Sequence, residues 1–134
     1  MRPRLDWASA ALAALAALLT QTAWAGGDPA AGRKAFAACI HCHQAGPSAR
    51  HAFGPQLNGL AGRKTGTQPG YGYSAALKTS GLVWNEATLA TYLRDPDALV
   101  PGTKMRFWGR GTTERQAGDL LAYLAAQPAS PSIP

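Results

Sequence analysis

Three stretches of the chain repeat apolar positions with a helical period. The first opens at Asp28, a helix-capping residue, followed by Pro29, whose fixed φ and missing N–H suit the first helical position. It sets Gly32 and Phe36 four residues apart on one face. The second opens at Asn85, carries Leu89, Tyr92 and Leu93 on its apolar side, and is predicted to stop at Asp95-Pro96. The third opens at Thr113-x-x-Gln116, a capping-box spacing, and carries Leu120, Leu121, Tyr123 and Leu124. Residues 44–73 are rich in Gly and Pro and follow neither the helical nor the strand period. The pattern predicts an all-α protein, with helices joined by long Gly/Pro-rich loops.

The N-terminus has a different composition. Arg2 and Arg4 precede an Ala/Leu run over residues 8–19, followed by Ala23-Trp24-Ala25 and Gly26-Gly27. A basic start, an apolar stretch and a small-large-small site form a secretory signal. The apolar run is shorter than the roughly 20 residues of a spanning helix, and the other reading is an uncleaved anchor. Residues 1–25 are therefore expected to be a cleaved leader, 26–127 the folded domain, and 128–134 a disordered Pro-rich tail. Cleavage removes Arg2, Arg4, Asp6 and Met1, so Met105 becomes the only methionine of the mature chain.

Composition narrows the class. With 134 residues the chain has room for one domain, and 46 % hydrophobic content excludes a disordered segment. Two cysteines exclude a disulfide-dense scaffold. They stand three apart in Cys39-Ile40-His41-Cys42-His43. This Cys-x-x-Cys-His spacing reads as c-type haem attachment: residues i and i+3 share one face of a helical turn, and the adjacent histidine can reach the metal. A thioredoxin-type pair lacks its βαβ context. A zinc site lacks a second ligand pair, because only His51 follows and no further cysteine does. His41 is assigned no role. A bound haem also explains a loop as long as 44–73, which can wrap a large apolar cofactor instead of protein core.

A metal on His43 has an open site or a sixth ligand. Met105 and His51 are the candidates. A lone Met is more often core filler, yet Pro101-Gly102-Thr103-Lys104-Met105 is a polar loop, a poor setting for a packing residue. His51 lies only eight residues past His43, which is short for reaching the opposite face of a porphyrin.

Together with Gly54-Pro55-Gln56-Leu57-x-Gly59-Leu60-x-Gly62-Arg63-Lys64, Trp84, Thr88-Leu89-x-x-Tyr92-Leu93, the Met105 loop and Leu120-Leu121-Ala122-Tyr123-Leu124, the haem motif resembles a mitochondrial-type class I cytochrome c in its exported bacterial form. The resemblance implies the cytochrome c fold, with three to five helices around one haem c held through Cys39 and Cys42. It implies His43 and Met105 as axial ligands, and the Pro55 carbonyl as acceptor from the far nitrogen of His43. It places Arg63, Tyr73 and Trp84 on one buried propionate and Thr103 on the other. It puts Tyr92 near the Met105 sulfur and Phe107 over the haem edge. Gly32 matches the glycine at which the family's first and last helices cross.

Several positions depart from the family. Ala38, Ala52, Asp97 and Ala98 stand where mitochondrial relatives usually carry lysine around the haem edge. Leu77 stands where the family usually has an asparagine that binds an internal water near Met105 and Tyr92. The stretch 36–39 is one residue short, and two extra residues lie near Gln116-Ala117-Gly118.

The resemblance implies a monomeric one-electron carrier of the periplasm rather than an enzyme. It would work between a quinol-oxidising complex or periplasmic dehydrogenase and a terminal oxidase, peroxidase or photosynthetic centre. Two alternatives are a dedicated acceptor for one periplasmic enzyme and a haem peroxidase formed when Met105 dissociates. The expected partners are redox proteins, with no nucleic acid and no stable membrane insertion. The net charge of +6 is compatible with acidic docking surfaces on those partners and equally with ordinary solubility.

Overall fold

Asp28 caps the first helix, α1 (Pro29–Phe36), by accepting from the Ala30 N–H at 2.8 Å, with proline in the first turn. The computed structural model describes residues 26–129. The leader assigned to residues 1–25, and residues 130–134 of the tail, lie outside the described residues. The last helix, α5 (Glu114–Ala125), starts at the capping box read from the sequence. Thr113 Oγ1 accepts from Gln116 N–H at 3.1 Å, and Gln116 Oε1 accepts from Thr113 N–H at 2.9 Å.

These two helices cross at the glycine. A Cβ on Gly32 would overlap the carbonyl of Asp119, so only hydrogen at that position lets the backbones meet. The Asp28 N–H donates to Asp119 Oδ1 at 2.7 Å, and the Phe36 and Tyr123 rings pack beside the crossing at 5.6 Å. The buried face of α5 consists of Ala117, Gly118, Leu120, Leu121 and Leu124.

Between them run three further helices, α2 (Ala75–Thr79), α3 (Glu86–Arg94) and α4 (Pro96–Leu99). Asn85 caps α3 by accepting from Thr88 N–H at 2.8 Å, and Leu89, Ala90, Tyr92 and Leu93 form its buried face. The predicted stop at Asp95-Pro96 is also a start. Asp95 ends α3 and caps α4, accepting from Ala98 N–H, with Pro96 in the first turn. The same dipeptide that bars continuation of one helix satisfies the entry rules of the next. The pattern reading did not include α4, nor α2, whose five residues are too few to show a period.

No helix forms over residues 44–73. The loop is instead cross-linked. Asn58 is buried and bonds Gly46 in both directions at 2.8 Å. Gly59 N–H donates to Leu124 O, tying the loop to α5. Lys64 pairs with Val83 in an isolated antiparallel bridge. Among the described residues no helix is long and apolar enough to cross a membrane.

Candidate functional site

The chain leaves α1 and tightens into a turn at the Cys39–His43 motif. Cys39 N–H donates to Phe36 O at 2.8 Å, and the Cys39 carbonyl accepts from both Cys42 N–H at 3.1 Å and His43 N–H at 2.9 Å. This turn brings the two thiols to one side, free and half-buried. Burial pushes the Cys39 thiol pKa up, and the neighbouring Cys42 adds to the shift.

His43 is fixed from the opposite strand of the loop. Its Nδ1 lies 2.7 Å from the Pro55 carbonyl. A carbonyl only accepts, so Nδ1 carries the proton and Nε2 keeps its lone pair for a metal. Burial pushes the His43 pKa down, which favours the neutral ring; the Pro55 bond opposes this in part. Gly54 makes the arrangement possible. Its N–H donates to Cys42 O at 2.7 Å, and a Cβ there would come within 2.7 and 2.9 Å of the two ring nitrogens. The family motif contained Gly54, but its contact with His43 could not be read from a one-dimensional pattern.

Met105 is half-buried on a segment held at both ends. Thr103 N–H donates to Val100 O at 3.0 Å, and Gly109 N–H donates to Leu93 O at 2.8 Å. Thr103 itself is buried, and its hydroxyl pairs with that of Tyr92 at 2.7 Å. Tyr92 packs edge-on against Trp84 at 5.1 Å, and Leu77 is buried in the same core cluster. The half-buried Phe107 follows Met105, and both line an open cleft of about 230 Å³ with Asp95, Pro96, Asp97 and Trp108.

The three residues expected at a buried carboxylate come together. Trp84 N–H donates to Arg63 O at 3.0 Å, and Arg63 and Tyr73 interact electrostatically. Burial lowers the Arg63 pKa and raises that of Tyr73, each partly offset by the other. Arg63 also donates to Asn58 O at 3.0 Å. The Trp84 side chain is only 7 % exposed, yet its indole N–H meets no acceptor among the described residues. Among the described residues no fully buried side-chain nitrogen or oxygen lacks a partner, so the N–H end of this ring stays accessible, where an anionic group beside Arg63 and Tyr73 can accept from it.

His51 serves the loop. Its Nδ1 accepts from Gln56 N–H at 3.2 Å, so its Nε2–H donates to Pro69 O at 2.8 Å. His41 is exposed. Among the described residues no three His, Cys, Asp or Glu side chains converge. The donor set fits an iron porphyrin instead: paired thiols, one oriented imidazole, one thioether, and an unpaired indole N–H near an arginine and a tyrosine.

A family model described as Cytochrome c matches residues 29–127. A cytochrome c2 from Rhodomicrobium vannielii is 46 % identical over 117 residues, covering 87 % of this chain and 93 % of the relative. A cytochrome c-550 from Nitrobacter winogradskyi is 52 % identical over 99 residues, 74 % of this chain and 90 % of the relative. Among solved structures, cytochrome cH from Methylobacterium extorquens is 46 % identical with a TM-score of 0.63, over 73 % of this chain and 97 % of that one.

Proposed function

Since the chain belongs to the cytochrome c family, and so is an electron carrier with one covalently bound haem c on Cys39 and Cys42, we propose that it works in the periplasm between redox partner proteins, with His43 and Met105 as the residues that would hold the haem iron. The observation that carries this reading is the His43–Pro55 bond of 2.7 Å, which puts the proton on Nδ1 and leaves Nε2 as a donor for a metal, one residue from Cys42. The carrier role excludes an enzyme reading.

Bound here, the haem supplies reversible one-electron exchange between ferric and ferrous iron. The protein's part is to hold that group in one geometry. Cys39 and Cys42 fasten it, and Pro55 keeps the His43 ring from turning and raises its basicity. As a ligand, the soft Met105 thioether would favour the ferrous state and so raise the potential. Tyr92 and Thr103 hold the segment that carries Met105. Trp84, Tyr73 and Arg63 would supply donors and positive charge to one propionate, and Phe107 would keep water from the edge. Bound by both His43 and Met105, the iron would exchange electrons rather than take a substrate. Leu77 is buried in the core cluster that includes Tyr92, and its apolar side chain offers an internal water no hydrogen bond there.

The partners are a quinol-oxidising complex or dehydrogenase on one side and an oxidase, peroxidase or photosynthetic centre on the other. The chain acts as a monomer. Export follows from the leader-type segment at residues 1–25.

Protein expressed with haem-maturation machinery should gain the mass of one haem and show reversible oxidised and reduced spectra. Met105→Ala should abolish the far-red thioether–iron absorption band and lower the potential. A retained band would remove Met105 as ligand, and a mature protein without added tetrapyrrole would remove the whole reading.

A further inference from the structure

Exposure alternates strictly along the segment that carries Met105. Lys104, Arg106, Trp108 and Arg110 are exposed, whereas Met105, Phe107 and Gly109 are partly buried. One outward stripe therefore bears three cations and an indole that is 67 % exposed. Among the described residues the indole N–H has no hydrogen-bond partner.

The stripe is held in place. Gly109 N–H donates to Leu93 O at 2.8 Å. Arg106 donates to Thr103 O at 2.9 Å and lies 4.0 Å from Asp97 Oδ1. Lys104 Nζ reaches Gly72 O at 3.4 Å. An exposed tryptophan on a fixed frame loses little conformational entropy on binding, and a large aromatic centre with a charged rim is the usual make-up of an interface hot spot.

Resting on the carrier reading above, we propose that Trp108 is the anchor with which this chain docks onto a redox partner protein, seating its indole in an apolar depression ringed by carboxylates. Lys104, Arg106 and Arg110 meet the carboxylates. Charge complementarity selects the acidic rim, and the indole selects the apolar centre. Trp108 lines the same cleft as Met105, so docking there brings the partner against the Met105 side of the molecule. An anionic lipid surface fits less well: lipid-binding clusters carry roughly four to eight cations, whereas this stripe has three, with Asp95 and Asp97 in the adjoining cleft.

The test compares the haem-loaded protein with Trp108→Ala, Trp108→Phe and the triple variant Lys104→Gln/Arg106→Gln/Arg110→Gln. Electron delivery to respiratory membranes of the source organism is followed by oxygen uptake at several salt concentrations. Reaction with hexacyanoferrate(III), a small oxidant that needs no protein docking, reports on the haem alone. Trp108→Ala should slow delivery to membranes about tenfold, as for a hot-spot residue, and leave the hexacyanoferrate reaction unchanged. Trp108→Phe should recover most of the rate. The triple variant should flatten the salt dependence. An unaltered rate for Trp108→Ala on membranes overturns the proposal. Tryptophan-dependent co-sedimentation with vesicles of phosphatidylcholine and phosphatidylglycerol also overturns it, in favour of lipid. If the unaltered protein reacts with hexacyanoferrate but delivers nothing to membranes, the carrier reading itself falls, and this proposal with it.

Discussion

The hydroxyls of Tyr92 and Thr103 lie 2.7 Å apart in the interior, joining α3 to the segment that carries Met105. Both side chains are buried, at 4 % and 2 % exposure, so neither hydroxyl can turn to water if its partner is removed. The bond also relates two residues that the family resemblance assigned separately, Tyr92 to the methionine side and Thr103 to a propionate.

Tyr92→Phe and Thr103→Val should each destabilise the protein by about 1–3 kcal/mol, the range for leaving a buried polar group unpaired. The double variant should lose less than the two singles combined, by about 1 kcal/mol. Guanidinium unfolding of the four proteins measures this coupling. Strict additivity would mean that the two hydroxyls do not support each other.

The same bond has a pH signature. Burial pushes the Tyr92 pKa above its ordinary value of 10.0, against smaller opposing effects of Thr103 and Arg106. A group whose folded pKa is raised contributes its full stability below the unfolded pKa and loses it as pH climbs through the folded value. The stability advantage of the native protein over Tyr92→Phe should therefore be constant below about pH 10 and shrink above it. Unfolding measured across the alkaline range checks this, and a difference that stays level there would contradict it.

Gly32→Ala should be destabilising even though alanine is the better helix former by about 1 kcal/mol. The new Cβ overlaps the Asp119 carbonyl, and separating α1 from α5 costs about 1–3 kcal/mol or more. Gly111→Ala is the control. A Cβ there meets nothing within 4 Å, so the change should stay within about 0.5 kcal/mol. Thermal unfolding of the two variants should separate them clearly.

His51→Ala should loosen a loop more than it weakens the whole. It frees the Gln56 N–H and the Pro69 carbonyl, and so removes a tether that ties residue 51 to a carbonyl 18 positions further along the chain. The expected loss is about 1 kcal/mol, with amide exchange accelerated first in the segment around Pro69 and Gly70. Exchange that changes only through global unfolding would argue against a local tether.

Helix starts were legible because capping depends on residues within one turn. Asp28, Asn85 and the Thr113–Gln116 box each satisfy backbone donors three or fewer positions away. The short helices α2 and α4 were not legible, since periodicity needs more than a turn or so of chain to declare itself. The Cys39–His43 chemistry was legible for the same local reason: five consecutive residues contain both attachment points and one metal donor.

From sequence alone came the all-α class, the capped helices and the haem motif, each fixed by spacing along the chain, and the candidate ligand Met105, which the family resemblance singled out. Only the folded chain decided which atoms meet. It set Gly54 against the His43 ring, turned Thr103 toward Tyr92, committed His51 to Pro69, and left Trp108 outside. These contacts join residues far apart in sequence through loops with no period. Their geometry is set by long-range packing and by hydrogen bonds that no local pattern specifies.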